Sequence, residues 1–323
     1  MLKVVKFGGS SVAGAAQFKK VKSIVEADGA RRVVVSSAAG RRTPDDHKLT
    51  DLLYLCHAHL SYGVSCDEIM DGIERRFAEI RDELGIAYDV EADFRALRAR
   101  LDRDMSVDEL VSRGEYFTSK LLADYLGYTF VDAKDCVFFG FDGQVETERS
   151  YAAISSALEE HGRIVIPGFY GLSPTGKIKV MSRGGSDITG ALAAAAAGAD
   201  VYENWTDVSG ILMADPKIVR DPKPIARITY AELRELAFMG ASVLHEESVQ
   251  PVKERGIPLN IRNTNAPDDP GTVIVEHVED TDGEHERFIT GIAGRRNFTI
   301  LTVTKHNMDV CRTLRRSLEI LER

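Results

Sequence analysis

Residues 3–11 read K-V-V-K-F-G-G-S-S, an apolar strand that runs into two glycines and two hydroxyl side chains. Glycine lets the backbone come close to a ligand. Helical patterning follows from Val12 to Glu26, and the start of a helix presents unpaired N–H groups and a partial positive charge. With the charge of Lys6, these features predict a phosphate site at the end of the first strand. A tight strand-to-helix turn with a surface lysine has the same pattern, so this stretch alone leaves both interpretations open.

The bulk composition is that of an ordinary globular protein, with 323 residues of which 44% are hydrophobic and 28% charged, and the length suggests more than one domain. A net charge of −9 argues against broad nucleic-acid binding, because no face has positive charge to spare for a phosphate backbone. No basic and apolar leader is visible, and the longest apolar run, 191–197, is too short to span a bilayer. We therefore expect a cytoplasmic protein with neither nucleic-acid nor membrane partners.

The four cysteines show no Cys-x-x-Cys spacing. Cys56, His57 and His59 are close together in sequence, but such neighbours on a helix point in different directions and would need metal ligands from elsewhere. Buried or surface thiols are the favoured interpretation, and no metal-binding residue is predicted.

Strand and helix signals alternate along most of the chain. Beyond the first strand, strand-like runs lie at 32–37, 128–132, 163–167, 201–205, 258–262 and 272–276. Residues 176–181 belong to a predicted hairpin, and an alanine-rich helix follows from Ile188 to Ala197. The alternation predicts an α/β fold with an open, mainly parallel sheet and helices on both faces. Ligand sites in such folds gather at the carboxyl ends of the strands.

A carboxylate lies in the apolar stripe of one predicted helix. Residues 106–109 and 229–232 both fit capping boxes, and the first box opens this helix. One stripe of the helix carries Val111, Glu115, Thr118 and Leu122. An unpaired carboxylate among apolar side chains is costly. Glu115 is therefore predicted either to form a buried salt bridge or to bind the ammonium group of a ligand.

Two familiar nucleotide signatures are absent or incomplete. No Gly-x-Gly-x-x-Gly follows a strand, and residues 171–177 approach a Walker A loop in which Ile178 replaces the required Ser or Thr. No local pattern favours Ser-His-Asp or Cys-His chemistry. What remains is a set of strand-end loops of complementary charge, at 6–10, 36–38, 183–187 and 206–207.

Six motifs, in order and spanning roughly residues 1–276, resemble those of the aspartokinases in the amino-acid kinase superfamily. They are K-F-G-G-S-S at 6–11, L-V-S-R-G-E at 110–115, S-R-G-G-S-D at 182–187, W-T-D-V-S-G-I at 205–211, D-P at 215–216 and F-M-G-A-S-V-L-H at 238–245. One such motif is a weak signal, whereas six in sequence are a strong one.

The resemblance implies transfer of the γ-phosphoryl group of ATP, with Mg²⁺, to the β-carboxylate of L-aspartate. A carboxylate is already ionised at neutral pH, so the nucleophile needs no general base. The enzyme must instead bring two anions together and neutralise the charge on the moving group. Lys6, the amides of Gly8, Gly9 and Ser10, and Mg²⁺ are expected to do this. Lys6 and Asp187 are the expected catalytic residues.

The resemblance also implies the residues that bind the amino acid. Arg183 is expected to form a bidentate pair with the α-carboxylate, and Glu115 and Asp187 are expected around the ammonium group. Ser37 and Thr50 match hydroxyls near the β-carboxylate. Local alternatives stay open, namely an ion pair for Arg183 and Asp187, and capping or loop hydrogen bonds for Ser37 and Thr50.

The matching positions on the nucleotide side are Thr206, Asp207 and Lys217, although Lys217 also fits a solvated surface lysine. The chain departs from the family pattern in this region. Ser242 stands where lysine is common, and Leu212 stands where tyrosine is common. These changes put the adenine contacts and the affinity for ATP in question.

The predicted domains are a catalytic domain at 1–277, an acidic linker at 278–287, and at 288–323 the beginning of an ACT module. Family members usually end in two such modules, so we expect a truncated chain without the usual lysine or threonine effector site. The resemblance also suggests a homodimer. Two other functions stay open: a kinase of another acidic amino acid, and a silent subunit that binds an amino acid or a nucleotide. The presence of Lys6 argues against the silent subunit.

Overall fold

The computed structural model describes residues 1–182, 184–239, 244, 246–278, 289–294, 315, 316 and 318–320. The chain divides into two units, Met1–Ala293 and Gly294–Arg323. Of the second unit the structure describes Gly294 and five helical residues, in which Arg315 Nε lies 3.0 Å from Glu319 Oε1. The predicted linker, apart from its first residue, and most of the predicted ACT-like segment lie outside the described residues.

Within the described residues, eight of the strands form one sheet in the order β10-β12-β11-β7-β1-β2-β4-β3. The strands are β1 Lys3–Phe7, β2 Arg31–Ser36, β3 Thr129–Phe130, β4 Ile164–Pro167, β5 Tyr170–Leu172, β6 Ile178–Val180, β7 Val201–Thr206, β8 Ile211–Leu212, β9 Pro224–Ile225, β10 Arg227–Thr229, β11 Leu259–Asn263 and β12 Thr272–Val275. The neighbours pair in parallel except for β11 and β12, which are antiparallel. The predicted open, mainly parallel sheet is confirmed.

Helices cover both faces of this sheet. They are α1 Ala15–Glu26, α2 Leu49–Ser61, α3 Asp67–Leu84, α4 Val90–Arg98, α5 Val107–Val111, α6 Arg113–Leu126, α7 Ala133–Cys136, α8 Thr147–His161, α9 Gly185–Ala196, α10 Tyr230–Phe238 and α11 Glu246–Glu254. In β2, Val33 and Val35 enter the core shared with α8, α9 and α11, whereas Val34 enters the core shared with α1, α3 and α6. Because both faces are covered, this strand appears in sequence as an unbroken β-branched run rather than an alternating one.

Several local predictions need correction. The helix predicted to run through Glu115 is two helices, α5 and α6, joined at Ser112. The capping box predicted at 106–109 is only half formed: Ser106 accepts from the N–H of Glu109, while the Glu109 carboxylate pairs with Arg100. The box at 229–232 is complete. The near-Walker segment 171–177 lies in the antiparallel β5–β6 hairpin, as predicted.

Candidate active site

The carboxyl ends of β1, β2 and β7 meet near the middle of the sheet. Lys6 of β1 lies in register with Asn204 of β7 on one side and Val35 of β2 on the other. The chain stays tied to β7 beyond the strand end, since the N–H of Gly8 donates to the carbonyl of Trp205 at 3.0 Å. Each following loop therefore emerges at the same edge, where parallel α/β folds place their ligands.

The loop after β1 passes very close to the loop after β2. The N–H of Gly40 donates to the carbonyl of Gly9 at 2.8 Å. A Cβ on Gly9 would stand 2.9 Å from the carbonyl oxygen of Ala38, and one on Gly40 would stand 2.5 Å from the carbonyl carbon of Gly9. Only glycine allows this backbone approach. A Cβ on Gly8 would lie 3.7 Å from Lys6 Nζ. The glycine at this position therefore leaves the space in front of the Lys6 ammonium group open.

The helix after the glycine loop begins later than the sequence predicts. Residues Gly9–Val12 form a single 3₁₀ turn, and α1 starts only at Ala15 after the extended residue Gly14. The start of α1 therefore does not follow the glycines directly. The backbone N–H groups available beside Lys6 come from the loop and the 3₁₀ turn instead.

Lys6 forms an ion pair that ties together three elements. Its Nζ lies 2.7 Å from Oδ1 of Asp187, and Nδ2 of Asn204 donates to the same oxygen at 2.8 Å. Asp187 lies in the first turn of α9, which follows Gly184 in the left-handed conformation at φ 58°. Helix N-termini stabilise carboxylates. Asn204 was not predicted from the sequence, because only the register of β7 against β1 places this amide in line with Lys6.

Six of the predicted site residues line one cleft with a volume of about 610 Å³. They are Gly9, Ser10, Ser37, Thr50, Glu115 and Asp207. Arg41, Arg42 and Lys48 also line this cleft, and the sequence analysis assigned them no role. The structure thus brings the glycine loop, the two predicted hydroxyls and the buried carboxylate to the same space.

Glu115 is a buried carboxyl group that faces this cleft. The residue is only 5% exposed, and its Oε2 has no hydrogen-bond partner among the described residues. Burial raises the pKa of Glu115 to about 8, although backbone hydrogen bonds at Ala38 and at Glu115 itself act in the opposite direction. No cation of the described chain forms a salt bridge with it. The ligand-binding interpretation of Glu115 therefore gains support over the buried salt bridge.

The other predicted residues that the structure describes do not line this cleft; they are Lys6, Gly8, Asp187, Thr206 and Lys217. Thr206 Oγ1 donates to Asp207 Oδ1 at 3.1 Å. Lys217 is exposed, its N–H donates to Asp215 Oδ1 at 2.8 Å, and it does not line the cleft. The predicted residue Arg183 lies outside the described residues.

Cys56 is buried, while ring nitrogens of His57 and His59 lie 3.2 Å and 2.9 Å from the carbonyls of Met105 and Ser65. Across the described ranges, no group of three or more His, Cys, Asp or Glu side chains is arranged to hold a metal ion. Across the same residues, no helix has the length and apolar character needed to cross a membrane.

Comparison with known proteins agrees with this geometry. A sequence model described as the amino acid kinase family matches residues 1–263. Aspartokinase 3 of Bacillus subtilis is 38% identical over 339 residues, which cover 99% of this chain and 73% of that protein. The crystal structure of Clostridium acetobutylicum aspartate kinase superposes with a TM-score of 0.85 at 48% identity, over 90% of this chain and 66% of that one.

A third relative was crystallised with ligands. Escherichia coli aspartokinase III, in complex with aspartate and ADP, superposes with a TM-score of 0.74 at 28% identity, over 87% of this chain and 66% of that one. The present chain thus spans about two thirds of each of these two crystallised proteins. On the family match and the Bacillus relative, the chain belongs to the amino acid kinase family and, within it, to the aspartokinases.

Proposed function

We propose that this chain transfers the γ-phosphoryl group of ATP to the β-carboxylate of L-aspartate, which yields 4-phospho-L-aspartate and ADP. The observation that carries the proposal is the buried carboxyl of Glu115, whose Oε2 has no partner among the described residues and which lies in the same cleft as the glycine loop. A free amino acid needs such a group because its ammonium must be matched inside the protein. The Escherichia coli relative crystallised with aspartate and ADP supports the choice of both substrates.

The amino-acid end of the cleft is assigned to four residues. Glu115 binds the ammonium group, and Ser37 and Thr50, which line the same cleft, donate hydroxyl hydrogen bonds to the β-carboxylate. Arg183, assigned from its matching motif, binds the α-carboxylate. Asp187 is assigned differently from the initial expectation: its contact with Lys6 supports a role beside the phosphoryl group more than one beside the ammonium.

The phosphoryl end is assigned to Lys6 and to the amides of Gly9 and Ser10. The N–H of Gly8, which was also expected there, instead donates to the carbonyl of Trp205 at 3.0 Å. An oxygen of the aspartate β-carboxylate attacks the γ-phosphorus, the bond to the β,γ-bridging oxygen breaks, and ADP leaves with that electron pair. No proton is removed from the nucleophile, since the β-carboxylate is already ionised. Lys6 stabilises the negative charge of the moving group. Asp187 holds the Lys6 ammonium in place through the 2.7 Å contact.

The nucleotide end is assigned to Thr206, Asp207 and Lys217. Of these, Asp207 lines the cleft, whereas Lys217 rests on the motif alone. Mg²⁺, when bound with ATP, neutralises charge on the phosphate oxygens, and it is commonly held by phosphates, waters and one or two carboxylates. The donor set fits that mode, because the carboxylate of Asp207 lies at the cleft and, among the described residues, accepts a hydrogen bond only from the neighbouring Thr206 hydroxyl. We further propose a cytoplasmic location and a homodimer.

A coupled assay tests the proposed reaction. The purified chain with Mg-ATP and L-aspartate should consume ATP and form an acyl phosphate that hydroxylamine traps, and L-glutamate should not substitute. Turnover with glutamate at equal efficiency would favour the kinase of another acidic amino acid. ATP binding without any turnover would favour the silent subunit.

Replacement of Lys6 tests its assigned role. Lys6→Met should lower kcat by about 10²- to 10³-fold, as expected when one group that stabilises transition-state charge is removed. The Kd for ATP should change much less. Lys177→Met is the matched control, because Lys177 is an exposed lysine in the β5–β6 turn. An equal loss in kcat and in ATP affinity would show that Lys6 only anchors the nucleotide.

A further inference from the structure

A second cleft, with a volume of about 710 Å³, shares no lining residue with the candidate active site. It lies on the sheet face that carries α1. Its two sides are that helix and the segment 262–268, which begins at the end of β11 and continues into the following loop. We call this cleft the α1 groove. Trp205 of β7 also lines it, and its ring lies 4.6 Å from the guanidinium carbon of Arg262.

The α1 groove is locally basic in an acidic protein. Its cations are Lys3, Lys19, Lys20, Arg31 and Arg262. Two carboxylates line it, Asp28 and Asp268, and a third, Glu203, contacts Lys3 and Arg31. Five cations against three carboxylates leave an excess of two positive charges, whereas the whole chain has a net charge of −9.

The carboxylates neutralise only part of the positive charge of the α1 groove. Glu203 is 2% exposed in its side chain, and it accepts from Arg31 Nε at 2.8 Å and from Lys3 Nζ at 3.2 Å. Lys3 also pairs with Asp28 at 2.9 Å. The same Glu203 is the nearest carboxylate to Arg262, at 4.0 Å. Two of the five cations are therefore neutralised at short distance.

Three cations have no carboxylate nearer than 4.0 Å in the part of the chain that the structure describes. Lys20 Nζ donates to the neutral amide oxygen of Asn265 at 2.8 Å. Arg262 Nη2 donates to the carbonyl of Pro267 at 2.7 Å. Lys19 is exposed, and its ammonium has no partner among the described residues. All three line the same groove.

We propose that the α1 groove binds a small phosphate dianion, either free phosphate or the monoester of a small metabolite. Two negative charges match the excess of two, whereas a monocarboxylate would leave one cation uncompensated. Lysine and arginine are the usual partners of phosphate oxygens. This assignment is independent of the proposed kinase reaction, because it rests on residues outside that cleft.

The groove is also joined to the back of the glycine loop. Thr264 Oγ1 lies 2.7 Å from Ser11 Oγ, directly after the loop. Gln17 Nε2 donates to the carbonyl of Ser10 at 3.0 Å and to Asn265 Oδ1 at 3.3 Å. Lys20 of the groove donates to the same Asn265 oxygen. An anion that draws Lys20 away from Asn265 therefore changes the hydrogen bonds of Gln17, the donor that supports the loop. Phosphate in the groove should therefore change the KM for ATP.

Calorimetric titration tests the site. Inorganic phosphate and glycerol 3-phosphate are titrated into the chain in the presence of a saturating non-hydrolysable ATP analogue, which fills both the nucleotide and the γ-phosphoryl positions of the candidate active site. One saturable site is expected for at least one probe. Lys20→Glu, and separately Lys19→Glu, should weaken it by about tenfold or more, because a charge reversal replaces an attraction with a repulsion. Lys177→Glu, the same charge change at an exposed lysine outside the groove, should leave it unaltered.

Each result has a definite meaning. Tighter binding of glycerol 3-phosphate supports a metabolite ester as the ligand, and equal affinity supports free phosphate. No saturable binding of either probe, or equal weakening by Lys177→Glu, overturns the site. The link between the groove and the glycine loop is tested by the KM for ATP at saturating phosphate. A shift of at least about twofold that Lys20→Glu removes supports the link. An unchanged KM overturns it.

Discussion

Aspartate binding is expected to release a proton from Glu115. The carboxyl of this residue is buried and lacks a partner at Oε2 within the described chain, and burial raises its pKa to about 8. An ammonium group in contact with it favours the ionised form. The free protein therefore holds the neutral carboxyl at pH 7, and the complex with aspartate holds the carboxylate.

The number of protons released on aspartate binding follows from the pKa of Glu115. A group with a pKa of about 8 is protonated in about nine of ten molecules at pH 7, so binding should release about 0.9 proton per aspartate. At pH 8.5 the release should fall to about 0.2 proton. Over the same interval the ionised fraction rises roughly eightfold, and the Kd for aspartate should fall by about the same factor.

Isothermal titration calorimetry in two buffers of different ionisation enthalpy measures this proton release directly. Glu115→Gln should release no proton, should bind aspartate about 10- to 100-fold more weakly through loss of a charge-assisted hydrogen bond, and should show no pH dependence of Kd from this group. Glu83→Gln, at an exposed position, serves as the control. Absence of proton release by the unmodified chain at pH 7, or its persistence in Glu115→Gln, would refute the reasoning.

The same group predicts a pH dependence of stability. The folded-state pKa of Glu115 lies above its ordinary value of 4.5, so the folded state holds the proton more tightly than the unfolded one. Its contribution is therefore fully favourable below pH 4.5 and is lost as the pH rises toward 8. At pH 7 the loss amounts to roughly 3 kcal/mol at most. Thermal unfolding of the ligand-free protein from pH 5 to 8 should show a smaller decline for Glu115→Gln.

Two further substitutions probe the architecture around the site. Gly9→Ala should destabilise the fold by about 1–3 kcal/mol, because the new Cβ would stand 2.9 Å from the Ala38 carbonyl oxygen; urea unfolding measures the loss. Arg31→Met should cost about 1.5–3 kcal/mol at neutral pH, since it removes the hydrogen bonds of Arg31 to the buried Glu203 carboxylate, which keeps Lys3 as its cation. Burial alone would raise the pKa of Glu203, but the hydrogen bond and charge of Arg31 lower it overall. The stabilisation is therefore present above pH 4.5. The difference in stability between Arg31→Met and wild type should shrink as the pH falls below that value.

Matched controls separate these effects from general damage. Gly8→Ala places its Cβ 3.6 Å from the nearest atom, which is ordinary contact, so equal losses for Gly8→Ala and Gly9→Ala would contradict the steric argument. Arg149→Met breaks the exposed pair of Arg149 with Glu146 and should cost less than about 1 kcal/mol. A loss for Arg31→Met no larger than this would contradict the buried-pair argument.

Local signals in the sequence were enough for much of the fold. The β-branched run at Val33–Val35, the glycines after Phe7 and the complete capping box at Thr229 act over a few residues, and each appears in the structure as predicted. The parallel sheet follows from the alternation of such segments. The family motifs, which also lie within short stretches, identified the aspartokinases.

Features that depend on distant partners were missed or wrong. The Glu109 side chain pairs with Arg100 instead of closing its predicted capping box. The short strands β8, β9 and β10 have too few residues for a periodic signal, and the antiparallel pairing of β12 depends on its neighbour rather than on its own sequence. The late start of α1 is set by Gly14, which adopts an extended conformation that its sequence alone does not require.

The chemistry of the site was decided in part by sequence and in part by tertiary structure. The sequence by itself predicted Lys6, Asp187 and Glu115 as site residues. It did not determine that Lys6 and Asp187 form a 2.7 Å ion pair or that Asn204 joins them. Likewise it left open whether Glu115 has a cation as partner. The physical reason is that charge pairing and desolvation depend on distances between groups far apart in the chain, and only folding sets those distances.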